Sequence, residues 1–277
     1  LAQKRAFVDG VFHFILIVFG VIWIYPFIWM MFSSLKTNTE YINSGFQLLP
    51  ETVQWENYAR AWKIGHFSTY FSNSVIITCT TVAIVILLCA LTGYALGRVA
   101  FPGRKLFVVA ITATMFIPKG YTIIPIYQII KSLGLLNTLP GIILAESSGA
   151  HVLFILLYMT YFANLPKELE EASEMDGCGF FRTFWQVMLP LSKPIVATTA
   201  IMQFIWTWNS FFVPLIFSVN KPGLRTLAVG MYSFVGEHTV DWSGMAAGAT
   251  ISVLPVIIVF IVFQRFFIEG ISGSVKG

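Results

Sequence analysis

Asn164-Leu-Pro-Lys-Glu-Leu-Glu-Glu-Ala-Ser-Glu-Met-Asp176-Gly177 is an acidic segment set between two long apolar runs, and that setting decides how the chain is read. Upstream lies about Leu139 to Phe162, and downstream about Pro194 to Val219. Each run is long enough to cross a hydrocarbon core of about 30 Å, which takes roughly 20 apolar residues in a helix. The acidic segment itself predicts a short amphipathic helix. Pro166 suits a first turn, where its missing N–H is no loss. Glu168, Glu170 and Glu171 fall where the helix dipole favours negative charge. Gly177 suits a left-handed stop. Leu169, Ala172 and Met175 recur at i, i+3, i+6, while Lys167, Glu170, Glu171 and Glu174 make a polar face. A second short segment, Phe180 to Met188, ends at Leu189-Pro190.

Four further apolar runs bring the expected spans to six: about Val11–Phe32, Ser74–Gly97, Leu106–Ile130 and Met245–Phe267. The third is interrupted by Pro118, Lys119, Gly120 and Pro125, and the fourth starts weakly at Glu146, Ser147, Ser148 and Gly149. Composition agrees. Of the 277 residues, 57% are hydrophobic and 11% charged, against about 25% charged in a soluble domain. That balance excludes a disordered chain, a nucleic-acid-binding module and an ordinary cytosolic enzyme. Runs of this length, without a strand-like alternation of about ten residues, argue against a β-barrel. Cys79, Cys89 and Cys178 follow no metal spacing and make no even disulfide framework.

Orientation is read from Lys and Arg. Six spans put both termini on one side, with Lys4, Arg5, Arg98, Arg104, Lys105, Lys167, Arg182, Lys193, Arg265 and Lys276, ten of the 17 basic residues. That side is expected to be the cytoplasm. The first span is too long for a signal-peptide core and is expected to be retained. Residues 36–70 then lie outside and carry Trp55, Tyr58, Trp62, Phe67 and Tyr70, as an interfacial aromatic belt does.

Catalytic signatures are absent from the sequence. It holds no Walker-type phosphate cradle, no His-Glu-x-x-His pair and no Gly-x-Ser-x-Gly elbow. His13, His66, His151 and His238 are scattered. An ion-coupled carrier tends to place ionisable groups inside its spans. Here Glu146 and Lys119 are the only such residues, which weakens the alternative of a secondary, ion-coupled solute transporter.

Glu171-Ala172-Ser173, three residues, Gly177, nine residues and then Val187-Met188-Leu189-Pro190 resembles the EAA loop of binding-protein-dependent ABC importers, whose form is Glu-Ala-Ala, three residues, Gly, nine residues, Ile-x-Leu-Pro. The spacing matches in full; Ser173 stands for the second Ala and Val187 for Ile. Asn73-Ser74, Gly93-Tyr94-Ala95 with Arg98, Ile117-Pro118, Trp208-Asn209 and Leu254-Pro255 narrow the resemblance to carbohydrate-uptake permeases, similar to the second membrane subunit of the maltose transporter.

The resemblance implies an all-α integral membrane protein with six transmembrane helices and the type I importer permease fold. A single transmembrane domain would cover residues 1–277, with a cytoplasmic coupling loop at about 164–193 and a cytoplasmic tail at 271–277. Such a permease sits in a bacterial or archaeal cell membrane and pairs with a second, homologous permease. Two ATP-binding subunits hold ATP and Mg, and an extracytoplasmic solute-binding protein delivers the solute. The chain itself would bind no cofactor, metal or nucleic acid. The coupling residues would be Glu168, Glu171, Ala172, Ser173, Met175, Asp176, Gly177, Leu189 and Pro190. The tail residues Ser274, Val275, Lys276 and Gly277 would enter the ATPase dimer.

The solute path is read from the residues themselves. Non-helical backbone at membrane depth is tolerated only inside protein or along a wet cavity. The break at Pro118, Lys119, Gly120 and Pro125 and the amide of Asn209 are therefore expected to face the path. Trp206 and Trp208 are the nearby aromatic candidates for stacking on a sugar face; the alternative is that they face lipid or core and that Asn209 bonds another helix.

Overall fold

The computed structural model describes residues 2–45, 47–64, 66–149, 151–236 and 239–274. Side chains of residues 2–8, 64, 119 and 265–274 lie outside the description. The described residues are helical throughout apart from turns and one isolated bridge, Val235 to Val240. Among the described residues, three helices are long and apolar enough to cross a membrane singly: Asp9–Ser33, Phe67–Arg98 and Trp242–Gln264. Three bent pairs raise the number to six if each pair counts as one span: Arg104–Phe116 with Gly120–Ser132, Leu139–Ser147 with Val152–Ala163, and Phe180–Leu191 with Lys193–Trp208.

Two of the bends fall at the interruptions expected in the third and fourth spans, and the fifth span is amended. In the third, the helix stops at Phe116, leaves helical geometry at Ile117 and restarts after Pro118, turning by 108°. Pro125, by contrast, is carried inside the second half without ending it. The fourth span breaks after Ser147 and resumes at Val152, with a bend of 60°. The fifth does not run on to Val219. It ends at Trp208, capped by Asn209, and a separate helix covers Phe212–Ser218. At its other end an 80° corner at Ser192 joins it to Phe180–Leu191, a segment with a wide π-type turn over Phe184–Met188.

The chain divides into two compact units. One comprises residues Leu1–Ser68 and Gly230–Pro255. It is held by polar anchors: Arg60 grips both carboxylate oxygens of Asp241 at 2.9 and 3.0 Å, and Asp241 in turn accepts from the Gly244 N–H at the start of the last long helix. Asn38 donates to the Val240 carbonyl and accepts from the Trp242 N–H, while Tyr41 stacks on Trp242. Gly248 leaves the space that the buried Phe67 ring fills; a Cβ there would sit 2.6 Å from its Cζ.

The other unit comprises Thr69–Val229 and Val256–Gly277. Its main core gathers Val85, Cys89 and Tyr94 from the Phe67–Arg98 helix, Phe154, Tyr158 and Phe162 from Val152–Ala163, and Phe184 and Met188. Two glycines let these helices meet backbone to backbone. A Cβ on Gly93 would lie 2.4 Å from Tyr158 Cβ, and one on Gly97 would lie 2.8 Å from the Met159 carbonyl oxygen. This close approach brings Arg98 to the end of the Val152–Ala163 helix and thereby to the acidic segment.

Candidate functional site: the acidic helix

The acidic segment folds as a helix over Glu168–Met175. It starts just after Pro166, with Lys167 at the cap, rather than with the proline in its first turn. Three acids occupy that turn, where exposed N–H groups favour negative charge. Gly177 adopts φ +77°, and the stop is closed by the Cys178 N–H donating to the Ser173 carbonyl and the Gly177 N–H to the Glu174 carbonyl, each at 2.9 Å. This is the glycine stop that the sequence predicts.

Which face turns inward was not legible. Glu170, placed on the polar face by its charge, points into the protein. Its Oε2 lies 2.8 Å from Nε of Arg98, an ion contact whose N–H direction does not make a hydrogen bond, and its Oε1 accepts from the Tyr94 hydroxyl at 3.0 Å. The Arg98 side chain is only 6% exposed. Its two terminal nitrogens donate to the carbonyls of Leu165 and Pro166 at 2.9 Å each. Ser173 is also buried, and its hydroxyl meets that of Thr183 at 2.7 Å. The replacement of Ala by Ser in the loop pattern thus carries a hydrogen bond across to the next segment. That segment is gripped again from above: Tyr94 stacks on Phe180 at 4.8 Å and leans on Phe184 at 5.5 Å.

The opposite face is left open. Glu168, Glu171, Ala172, Glu174 and Asp176 are exposed, and Met175 is 88% exposed. Of the stripe Leu169, Ala172 and Met175, only Leu169 is half-buried. Leu189 is half-buried and Pro190 exposed at the 80° corner. Sequence reasoning missed Glu170, Tyr94 and Arg98 as a unit. The signal for it was Gly93-Tyr94 with Gly97-Arg98, small residues one turn apart that admit a neighbouring helix, ending on a charge.

The expected path residues separate. Pro118 is exposed at the 108° bend, and the Lys119 side chain lies outside the described residues. Trp206 stacks on Phe154 at 5.1 Å and remains 43% exposed. Trp208 is 4% exposed, packed against Phe204 and Phe71. Asn209 is exposed and donates to the Ile205 carbonyl of its own helix at 2.8 Å. Ser274 ends the last helix, and Val275, Lys276 and Gly277 lie outside the described residues.

The anchored acidic helix carries the spaced loop pattern that resembles the importer family, and the comparison with known families agrees. The model of the binding-protein-dependent transport system inner membrane component matches residues 3–273. The chain belongs to that family. The chain is similar to a diacetylchitobiose uptake system permease protein of Streptomyces coelicolor, 36% identical over 265 residues, 95% of this chain and 86% of that protein. A trehalose transport system permease protein of Mycobacterium tuberculosis is 34% identical over 256 residues, 91% and 92% of the two chains. Among solved structures, a chain of a bacterial ABC transporter involved in the import of the acidic polysaccharide alginate superposes with TM-score 0.81 at 27% identity, covering 96% of this chain and 98% of that one. This permease is therefore a multi-pass, all-α inner-membrane component of a binding-protein-dependent importer. The alternative of an ion-coupled carrier finds no support in these relationships.

Proposed function

We propose that this permease forms half of the translocation path of an ATP-driven importer for a sugar or oligosaccharide. It pairs with a second, homologous permease, and two ATP-binding subunits and an extracytoplasmic binding protein complete the assembly. ATP and Mg are held by the ATP-binding subunits, and this chain binds no cofactor of its own. Both termini face the cytoplasm. The sugar class is supported by the relatives named for diacetylchitobiose and trehalose uptake.

The observation that carries the coupling assignment is the division of the Glu168–Met175 helix into two faces. Glu170 and Ser173 tie it to the subunit, and Glu168, Glu171, Ala172 and Met175 remain exposed for a groove on an ATP-binding subunit. Ser173, Leu189 and Pro190 then act by shaping the loop, and Gly177 and Asp176 by ending the helix. Alternating access needs two packings of the same helices that differ by a few kcal/mol. A rigid connection from helix to spans lets closure of the ATPase dimer select between them. Arg98, clamped to Leu165, Pro166 and Glu170, supplies that connection to the Phe67–Arg98 span.

The test is retention of the ATP-binding subunits through purification, with solute uptake measured on the same preparation. Glu171→Lys is expected to lose the subunits; full retention with normal uptake would overturn the assignment. Gly177→Asp places a side chain at a left-handed position, a strain of about 1 kcal/mol or more, and is expected to assemble but hydrolyse ATP without transport. Deleting Ser274 to Gly277 is expected to leave assembly intact and lower coupled hydrolysis, as a tail that enters the ATPase dimer would.

A further inference from the structure

The fourth and fifth spans break side by side, and a carboxylate joins the breaks. Glu146 sits in the last turn of Leu139–Ser147, just before the chain resumes at Val152. Ser210 follows the end of Lys193–Trp208, and its hydroxyl donates to Glu146 Oε1 at 2.6 Å. Both side chains are half-buried. Lys193 to Trp208 rises about 22 Å at about 1.5 Å per residue. That is shorter than a hydrocarbon core of about 30 Å, so the helix stops short of a full crossing from its Lys193 end. A carboxylate at that depth is costly against lipid and marks a polar path or a partner. Irregular backbone there likewise has to be buried in protein or lie along a wet cavity.

The side chains around the pair suit a hydroxylated solute. Trp206 stands one turn before Ser210 and is 43% exposed, with its ring stacked on Phe154. Asn209 and Ser148, one at each break, are both exposed. A carboxylate and an amide accept hydrogen bonds from sugar hydroxyls, and an indole offers a flat apolar surface to the C–H face of a sugar ring. The opposite side of the same helix is closed: Gln203, Thr207 and Trp208 are buried, and Gln203 Nε2 is turned to Thr207 Oγ1 at 2.9 Å. We infer that Glu146 and Ser210, with Asn209 and Trp206, form a solute subsite that accepts uncharged, polyhydroxylated rings and disfavours anionic ones. The inference rests on the importer reading above and adds to it a charge rule for the solute.

The experiment uses the assembled complex in liposomes, retained only if it keeps its ATP-binding subunits, so that failure of the importer reading registers earlier as their loss. Cys79, Cys89 and Cys178 are replaced, and a single cysteine is placed as Asn209→Cys or, separately, Ser148→Cys. Small cationic and anionic methanethiosulfonate reagents are the probes. A charge-lined aqueous cleft concentrates counter-ions by about tenfold or more. The cationic reagent is thus expected to react about tenfold faster than the anionic one, and Glu146→Gln to abolish the preference. Trehalose, diacetylchitobiose or maltotriose is expected to slow labelling by occupying the subsite, and a galacturonate oligomer to be ineffective because the carboxylate repels anions. No reaction at either position would mean the face is covered by lipid or by the second permease and would overturn the proposal. Labelling that none of the three neutral sugars slows, or that the galacturonate oligomer slows equally, would overturn the solute assignment.

Discussion

Glu170 and Glu171 are neighbours with the same side chain, yet they sit in two different environments. Glu170 is turned inward onto Arg98 and Tyr94, and Glu171 is exposed on the far side of the helix. Successive residues of an α-helix point about 100° apart, so one acid anchors the helix and the next is left for whatever the helix meets. The difference teaches that acidity in this loop has two separable uses. Inward charge makes the helix part of the subunit; outward charge makes it a handle.

Substitutions can break this division, and their effects on the purified subunit are expected to fall in a definite order. Glu170→Ala should cost most, about 3 kcal/mol. That is the low end for removing one partner of a buried ion pair, because Arg98 keeps two carbonyl acceptors. Thermal unfolding in detergent reads it, and Glu170→Gln, which can still accept from Tyr94, should lose less. Gly93→Ala comes next, at about 1–3 kcal/mol, the range for overpacking, since its Cβ would overlap Tyr158 and force the two helices apart.

Ser173→Ala is the subtler test of the inward face. It strands the buried Thr183 hydroxyl, at a cost of roughly 1 kcal/mol because a threonine in a helix can turn to a carbonyl one turn back. Glu171→Lys should change the melting point least, within about 0.5 kcal/mol as for an exposed site. It should nonetheless give the largest loss of ATP-binding subunits. A Glu171→Lys subunit that melted as early as Glu170→Ala would erase the distinction between the two faces.

The same contrast explains what could be read from residue types. The helix, its acidic first turn and its glycine stop follow from local rules: dipole, cap and left-handed backbone. These act within a few residues, so Glu168, Gly177 and the loop spacing were legible. The inward face was not, because i, i+3, i+6 spacing identifies the apolar side and says nothing of a buried ion pair. Arg98 read as a cytoplasmic loop charge that orients the chain, whereas its guanidinium is almost wholly buried. The fifth span misled for a related reason. Apolarity continues from Pro194 to Val219, but Asn209 caps the helix and Ser210 turns to Glu146. Hydropathy counts side chains and is blind to where the backbone stops.

Length, apolarity and the spaced loop motif alone determined that this is a polytopic helical permease of the binding-protein-dependent family. The lipid core demands about 20 apolar residues per crossing whatever the neighbours are, and the loop pattern is local. Tertiary structure alone decided which acids are anchors, how sharply three spans bend, and which tryptophan is open. Trp206 and Trp208 are two residues apart on one helix, and one is exposed while the other is buried. That choice depends on how the helix is rotated against Phe154, Phe71 and the Glu146 turn. Helix rotation is set by packing between segments far apart in the chain, and no local pattern encodes it.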